Sequence, residues 1–391
     1  MNIVVAGVMG RYPYGGVAWC SMMYLIGLRQ LGHNVWYLED TKECNFDPIE
    51  NTLSKDPRYA LAFIRSCLEP YELDGRWCYV NYLGTEYFGH TRDQWRQVCQ
   101  ECDLFINLSG GCWTWREEYL AIPHTVFIDS DPAFTQLEVI RRGQELVEFF
   151  GRYDHLFTFG RNIGTPASSI PTWPLNWNHT WQPICIDEWK PSATPPRPFF
   201  TTVMTWKTES FKEIGGNKDQ EFKNLIHLPS VTSVPVELAV SAPHGSDVCA
   251  YLNQFGWACR DAFAVSHNPI VYRDFIRSST GEFSVAKHTY VKSNSGWFSD
   301  RTECYLASGR PAVVQDTGFS AHLPTGCGLF AYRTVEEAAT ALEEIIANYD
   351  RHCRVAHDIA IAHFSAKVVL TQLIEKATSN KSSLAHLRGP K

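Results

Sequence analysis

The chain has 391 residues, 45% of them hydrophobic and 20% charged, with a formal net charge of -7. That length accommodates two α/β domains, and the balance excludes a disordered chain. The negative charge offers no general attraction to nucleic acid or to anionic membranes. The sequence has no apolar run of the length a membrane span needs, about 18 residues. It opens directly into strand-forming residues with no basic leader, so a cytoplasmic location is expected. The thirteen cysteines are scattered through apolar runs, which predicts reduced thiols packed as small hydrophobes. Cys99 and Cys102 form a Cys-x-x-Cys without a second pair, and no His-x-x-x-His occurs, so no metal site and no cofactor are expected.

The first forty residues predict a β-α-β unit: a strand over Asn2 to Ala6, a loop over Gly7 to Gly16, a helix over Val17 to Leu31 and a strand over Asn34 to Glu39. Further strands are predicted at Trp77 to Tyr82, Leu104 to Leu108, Thr125 to Asp129 and His155 to Phe159, and helices at Pro57 to Leu68, Arg92 to Glu101 and Thr135 to Phe149. Such alternation implies a parallel sheet with ligands at the carboxyl ends of its strands. Three loops fall at such ends: Gly15-Gly16, Ser109-Gly110-Gly111, and Ser130-Asp131-Pro132. Glycine there lets backbone approach a ligand. Asp129 and Asp131 could split acid and base roles between them, or cap and turn the backbone.

Prolines and tryptophans crowd residues 170–198 and suggest a packed linker. The expected organisation is a first domain over 1–184, a linker over 185–198, a second domain over 199–355, terminal helices over 356–377 and a polar tail over 378–391. In the second domain, strands are predicted at Phe199 to Met204, Val236 to Val240, Ala262 to Val265 and Glu282 to Ala286, with a helix over Ile270 to Ser278. A lysine-bearing loop holds Lys207, Lys212 and Lys218. Ser295-Gly296-Trp297-Phe298-Ser299-Asp300-Arg301-Thr302-Glu303 then reads as a glycine loop entering a helix, followed by a strand ending at Asp316-Thr317-Gly318. A helix start with free N–H groups and a positive dipole end suits a phosphate or diphosphate. Gly296, Ser299 and Arg301 would surround it, with Lys218 first and Lys207 next as added cations. Glu303 could accept hydrogen bonds from a ribose, or reach back to Asp300 in a capping box. Asp316 is either a turn former or a ligand contact.

The segment from Glu282 to Gly318 resembles the donor-binding signature of GT-B glycosyltransferases. The opening from Gly15 to Glu39 is similar to their amino-terminal pattern, the retaining family 4-like group above all. The resemblance implies two Rossmann-like α/β domains facing a cleft and transfer of a sugar from a nucleotide-diphosphate sugar to an acceptor hydroxyl without an obligatory metal. It implies that Glu303 binds the ribose, that Trp297 and Asp316-Thr317-Gly318 lie against the donor, and that a Lys or Arg after the first strand of the second domain neutralises the leaving diphosphate. The acceptor expected is a small molecule or glycan in preference to nucleic acid. Where the family often has a second glutamate, eight residues before the first, this chain has Ser295. Two alternatives share the architecture: a nucleotide-sugar 2-epimerase using Asp129 and Asp131 as an acid/base pair, and a non-catalytic nucleotide-sugar-binding protein.

Overall fold

The computed structural model describes residues 1–191, 197–207, 216–242 and 246–379. It divides into two compact units. The first comprises Met1–Phe159, Pro171–Cys185 and the chain from Ala366 on, and the second comprises Gly160–Ile170 and Ile186–Ser365. The division thus falls differently from the boundaries read in the sequence. Residues 160–170 go with the second unit, because Asn162 and Ser168 hydrogen-bond to the 293–295 backbone. Of the terminal helices, Tyr349–Ile359 belongs to the second unit and Ala366–Ala377 to the first.

The first unit is built on strands β1 (Asn2–Ala6), β2 (Asn34–Glu39), β5 (Trp77–Val80), β6 (Tyr87–Gly89), β7 (Leu104–Leu108), β8 (His124–Asp129), β9 (His155–Thr158) and β10 (Trp177–His179). A hairpin of β3 (Asn45–Asp47) and β4 (Thr52–Ser54) follows β2. The sheet order is β10-β9-β8-β7-β1-β2-β5-β6, parallel except where β6 returns along β5. Central strands such as β1 and β7 are apolar almost throughout and buried on both faces, which is what a parallel sheet covered by helices demands. The Pro/Trp-rich stretch contributes edge strand β10. One long helix was expected over Thr135 to Phe149; Gly143, at φ +61°, breaks it into Phe134–Arg142 and Gln144–Gly151.

The second unit carries β11 (Phe200–Thr205), β12 (Val236–Ser241), β13 (Ala258–Asp261), β14 (Gly281–Ser284), β15 (Ala312–Gln315) and β16 (Leu329–Tyr332) in the all-parallel order β13-β12-β11-β14-β15-β16. This is a doubly wound Rossmann-type order, whose switch point lies between its first and fourth strands, β11 and β14. The strand expected at Ala262 to Val265 is instead a helical turn, Phe263–Ser266, and the edge strand precedes it. The Asp261 carboxylate accepts from Phe263 N and turns the chain out of the strand. Two cysteines depart from the expectation of reduced thiols. Cys249, on the helix Val248–Asn253, and Cys259 of β13 are joined in a disulfide across a Cα separation of 5.3 Å, a distance such a bond spans readily. Cys99 and Cys102 are free and buried in the first unit's core.

Candidate functional site

In the second unit the donor residues expected from the sequence lie around the carboxyl ends of β11 and β14. The helix Asp300–Ala307 begins there with Ser299 as its N-cap, whose side chain makes no capping hydrogen bond. Glu303 is buried, and its N–H donates to Ser299 O at 3.1 Å. With the cap at Ser299, the position that could reach back in a capping box is Thr302, so Glu303 is not placed for that role.

Arg301 does something other than expected. Its guanidinium runs back under the helix, donating to Glu282 Oε1 at 2.7 Å, Val203 O at 2.8 Å and Ser284 Oγ at 2.8 Å. It is thus the buried counter-charge of Glu282, itself fully buried in the middle of the sheet. A carboxylate there must be paired, and Arg301 is the partner that makes it tolerable.

Lys218 opens the helix Lys218–Leu225 and is buried, at 6% exposure. Burial pushes its ammonium well below the ordinary lysine range, and Arg301 and then Lys287 add to the depression, against the opposing pull of Glu282 and Asp300. Lys218 thus feels both cations and both carboxylates around these strand ends. Lys207 lies outside this group, exposed and 3.9 Å from Asp219. Lys212 falls outside the described residues.

The glycine loop is closely packed. Gly296 has φ +72°, and a Cβ there would lie 2.8 Å from Asn162 N; its backbone approach serves the strand-like contact of Arg161 N and Asn162 N with Gly296 O and Ser295 O. Gly318, at φ +95°, is equally confined, since a Cβ would sit 2.3 Å from Asn294 Oδ1. Asp316 is the turn former of the two readings: its carboxylate accepts from Gly318 N, from Ser320 Oγ at 2.8 Å and from Arg333 at 2.6 Å. Thr317 ties down the loop through Trp297 O and Gly296 N. Trp297 stacks on Tyr290 with centroids 4.4 Å apart. Ser295, fully buried, accepts from Trp297 N.

In the first unit, Gly15 and Gly16 are not loop residues but the first turn of the helix Gly15–Gln30. Asp129 is buried and accepts from Asp131 N at 3.1 Å, Thr135 Oγ1 at 2.6 Å, Gln136 Nε2 at 2.9 Å and Thr158 Oγ1 at 2.8 Å. Burial raises its pKa to about 6 against the lowering pull of the Thr135, Gln136 and Thr158 side chains. With both oxygens engaged, Asp129 acts as the anchor of the β8 turn; Asp131 is exposed beside it. Ser109, at φ +54°, meets Ser130 through their hydroxyls at 2.5 Å. Gly111 is forced by packing, since a Cβ would lie 2.2 Å from Gly7 N, and Gly110, at φ +81°, lies flush against the Trp113 indole.

No family model matches the chain, and no curated protein matches it by sequence. Solved structures do. An α-glucosyltransferase in complex with UDP and a 13-mer DNA superposes with a TM-score of 0.61 at 14% identity, covering 96% of this chain and 99% of that one. HepE of Anabaena, in complex with UDP, gives 0.55 at 14% identity over 97% and 100%. Sucrose-phosphate synthase from Thermosynechococcus elongatus gives 0.53 at 10% identity over 96% and 97%. The chain has the GT-B fold. Both sheets of that fold are accounted for by the two units above.

Within the GT-B frame, several residues that organise the strand ends were missed in the sequence. Glu39, at the end of β2, accepts from Gly10 N at 2.8 Å, from Arg11 N and from the Tyr37 hydroxyl at 2.6 Å, and so fixes the loop after β1. Burial raises its pKa to about 7. Asp40 pairs with Arg116 at 2.7 Å and accepts from the Tyr119 hydroxyl. Glu221 joins His288 at 2.6 Å and Gln315, linking the Lys218 helix to the chain after β14. The available signal was a charged residue ending or interrupting an apolar strand, as in Leu38-Glu39-Asp40 and Gly281-Glu282-Phe283. Among the described residues no three His, Cys, Asp or Glu side chains gather as a metal site, and no helix is long and apolar enough to cross a membrane.

Proposed function

We propose that the protein is a glycosyltransferase that moves a sugar, with retention, from a uridine-diphosphate sugar to an acceptor hydroxyl. The observation that carries this reading is the buried Lys218, whose helix is tied by the Gly216–Thr289 and Glu221–His288 hydrogen bonds to the segment after β14 that holds Lys287. The carboxyl ends of β11 and β14 are the switch point where a doubly wound sheet binds its ligand. A buried lysine with a depressed pKa is costly without an anion and is stabilised by one. UDP is the nucleotide bound in the α-glucosyltransferase and HepE structures that share the fold, which supports uridine here.

In this reading Lys218 and Lys287 neutralise the diphosphate as the C1–O bond to it breaks. The N–H groups at the start of the Asp300–Ala307 helix add to that stabilisation, and Glu303 takes the ribose hydroxyls. Trp297, Ser299 and the Thr317-Gly318 turn wall the donor; Arg301 keeps Glu282 neutralised behind them. Charge neutralisation by lysine replaces a metal ion. The four donors on Asp129 leave it poorly suited as a base, which supports acceptance of the acceptor proton by the departing phosphate. They weigh equally against the epimerase alternative, which needs Asp129 as half of an acid/base pair. The test is a thermal-shift series with UDP, GDP, ADP and dTDP, with and without EDTA. UDP should give the largest rise, unchanged by EDTA. No rise with any nucleotide, or one abolished by EDTA and restored by magnesium, would refute the reading.

A further inference from the structure

The loop after β7 is built to hold one exposed indole. Asn107, fully buried, clasps the loop from both sides: its amide donates to Cys112 O at 2.6 Å and its carbonyl accepts from Cys112 N at 3.1 Å. The Tyr153 hydroxyl fixes that amide at 2.7 Å. Trp113 N donates to Asp40 O, and Asp40 N to Gly111 O. On this scaffold Trp113 stacks against Phe149, with centroids 5.1 Å apart and planes 28° apart, and meets Phe150 edge-on at 6.1 Å. Gly110 removes the Cβ that would strike the indole at 2.6 Å. The residue is nevertheless 37% exposed. A rigidly supported aromatic surface left in water at a strand's carboxyl end is a binding surface in waiting.

We propose that Trp113 is the stacking platform of a carbohydrate acceptor site in the first unit; this rests on the transferase reading above and specifies its acceptor. The C–H face of a pyranose carries slight positive charge and complements the negative face of an indole. The hydroxyls of Ser109 and Ser130, joined to the platform through Gly110, supply polar partners for the sugar. The charges of the two loops disfavour an anionic occupant. Residues 109–118 and 130–133 contain Glu117, Glu118 and Asp131 against a single cation, Arg116, and that cation is paired with Asp40. A nucleic acid or phosphorylated acceptor would meet net repulsion there.

Saturation-transfer NMR on the whole chain, with methyl β-glucopyranoside and methyl β-galactopyranoside as probes and a single-stranded oligonucleotide in parallel, tests this. Saturation should reach the ring C–H protons of one sugar face. Trp113→Ala should weaken binding about tenfold and Trp113→Phe about threefold, in proportion to the stacking area lost. Should the alanine variant fail to fold, the phenylalanine variant carries the comparison. The UDP thermal shift, which belongs to the second unit, should be the same in all three proteins. Equal sugar binding in wild type and variants, no signal from either pyranoside, or preferential binding of the oligonucleotide would overturn the proposal. Loss of the UDP shift in wild type would sink the transferase reading separately, with Trp113-dependent sugar binding still standing.

Discussion

Replacing Lys218 with methionine keeps its length and removes its charge. In the free protein the buried ammonium is disfavoured by desolvation and by Arg301 and Lys287. Its folded pKa lies below the unfolded value of about 10.4, so the unfolded chain binds the proton more tightly and stability rises with pH through that interval. Lys218→Met removes this liability, and the unliganded variant should melt at the same temperature as wild type or higher. Nucleotide binding should move the other way. A hydrogen bond to a charged partner contributes about 1.5–3 kcal/mol, so UDP affinity should fall roughly 10- to 150-fold. Because a diphosphate favours the protonated lysine, binding to wild type at alkaline pH should draw a proton from solution and weaken as pH rises. Titration calorimetry in two buffers of different ionisation enthalpy reads both quantities. Unchanged UDP affinity in Lys218→Met, with the same proton uptake as wild type, would refute the reasoning.

Three further outcomes rest on the same geometry. Arg301→Ala leaves Glu282 buried without its counter-charge, a loss of about 3–5 kcal/mol, and thermal melting should register a drop of about 10 °C. Gly318→Ala forces a methyl toward Asn294 and Asn162 at a left-handed backbone position, and denaturant titration should show a loss of about 2 kcal/mol or more. Asp129 and Glu39 have folded pKa values raised to about 6 and about 7. The stability they contribute is therefore fully present below their unfolded values, near pH 4, and is lost as pH rises through the folded ones. Between the two values each pH unit removes about 1.4 kcal/mol per carboxyl group. Asp129→Asn should flatten the decline between pH 4 and 6, and an identical decline in wild type and variant would remove Asp129 from this role.

Much of the architecture was legible because a parallel sheet imposes a strong pattern. The continuous apolar runs Asn2–Ala6 and Leu104–Leu108 stand in the structure at the bounds read from the sequence. Local punctuation was less legible. Gly15 and Gly16 enter the helix because an upstream extended residue, Tyr14, already serves as its N-cap. The side-chain roles were the least legible, because they depend on partners distant in sequence. Arg301 looks like a phosphate ligand until Glu282, nineteen residues earlier, is seen beneath it. Gly296 and Gly111 look like openings for a ligand until the segments that fill them, Arg161–Asn162 and Ala6–Gly7, are placed. Asp129 carries no mark in the sequence of the Thr158 hydroxyl that completes its shell.

The most direct test of the account is product analysis after incubation with UDP-glucose and a panel of other nucleotide-diphosphate sugars, in EDTA, with methyl glycosides as acceptors. The account predicts free UDP together with a glycosylated acceptor whose new linkage keeps the donor's anomeric configuration, and loss of both products in Lys218→Met. An intact donor throughout, or a donor returned with an epimerised sugar, would contradict it.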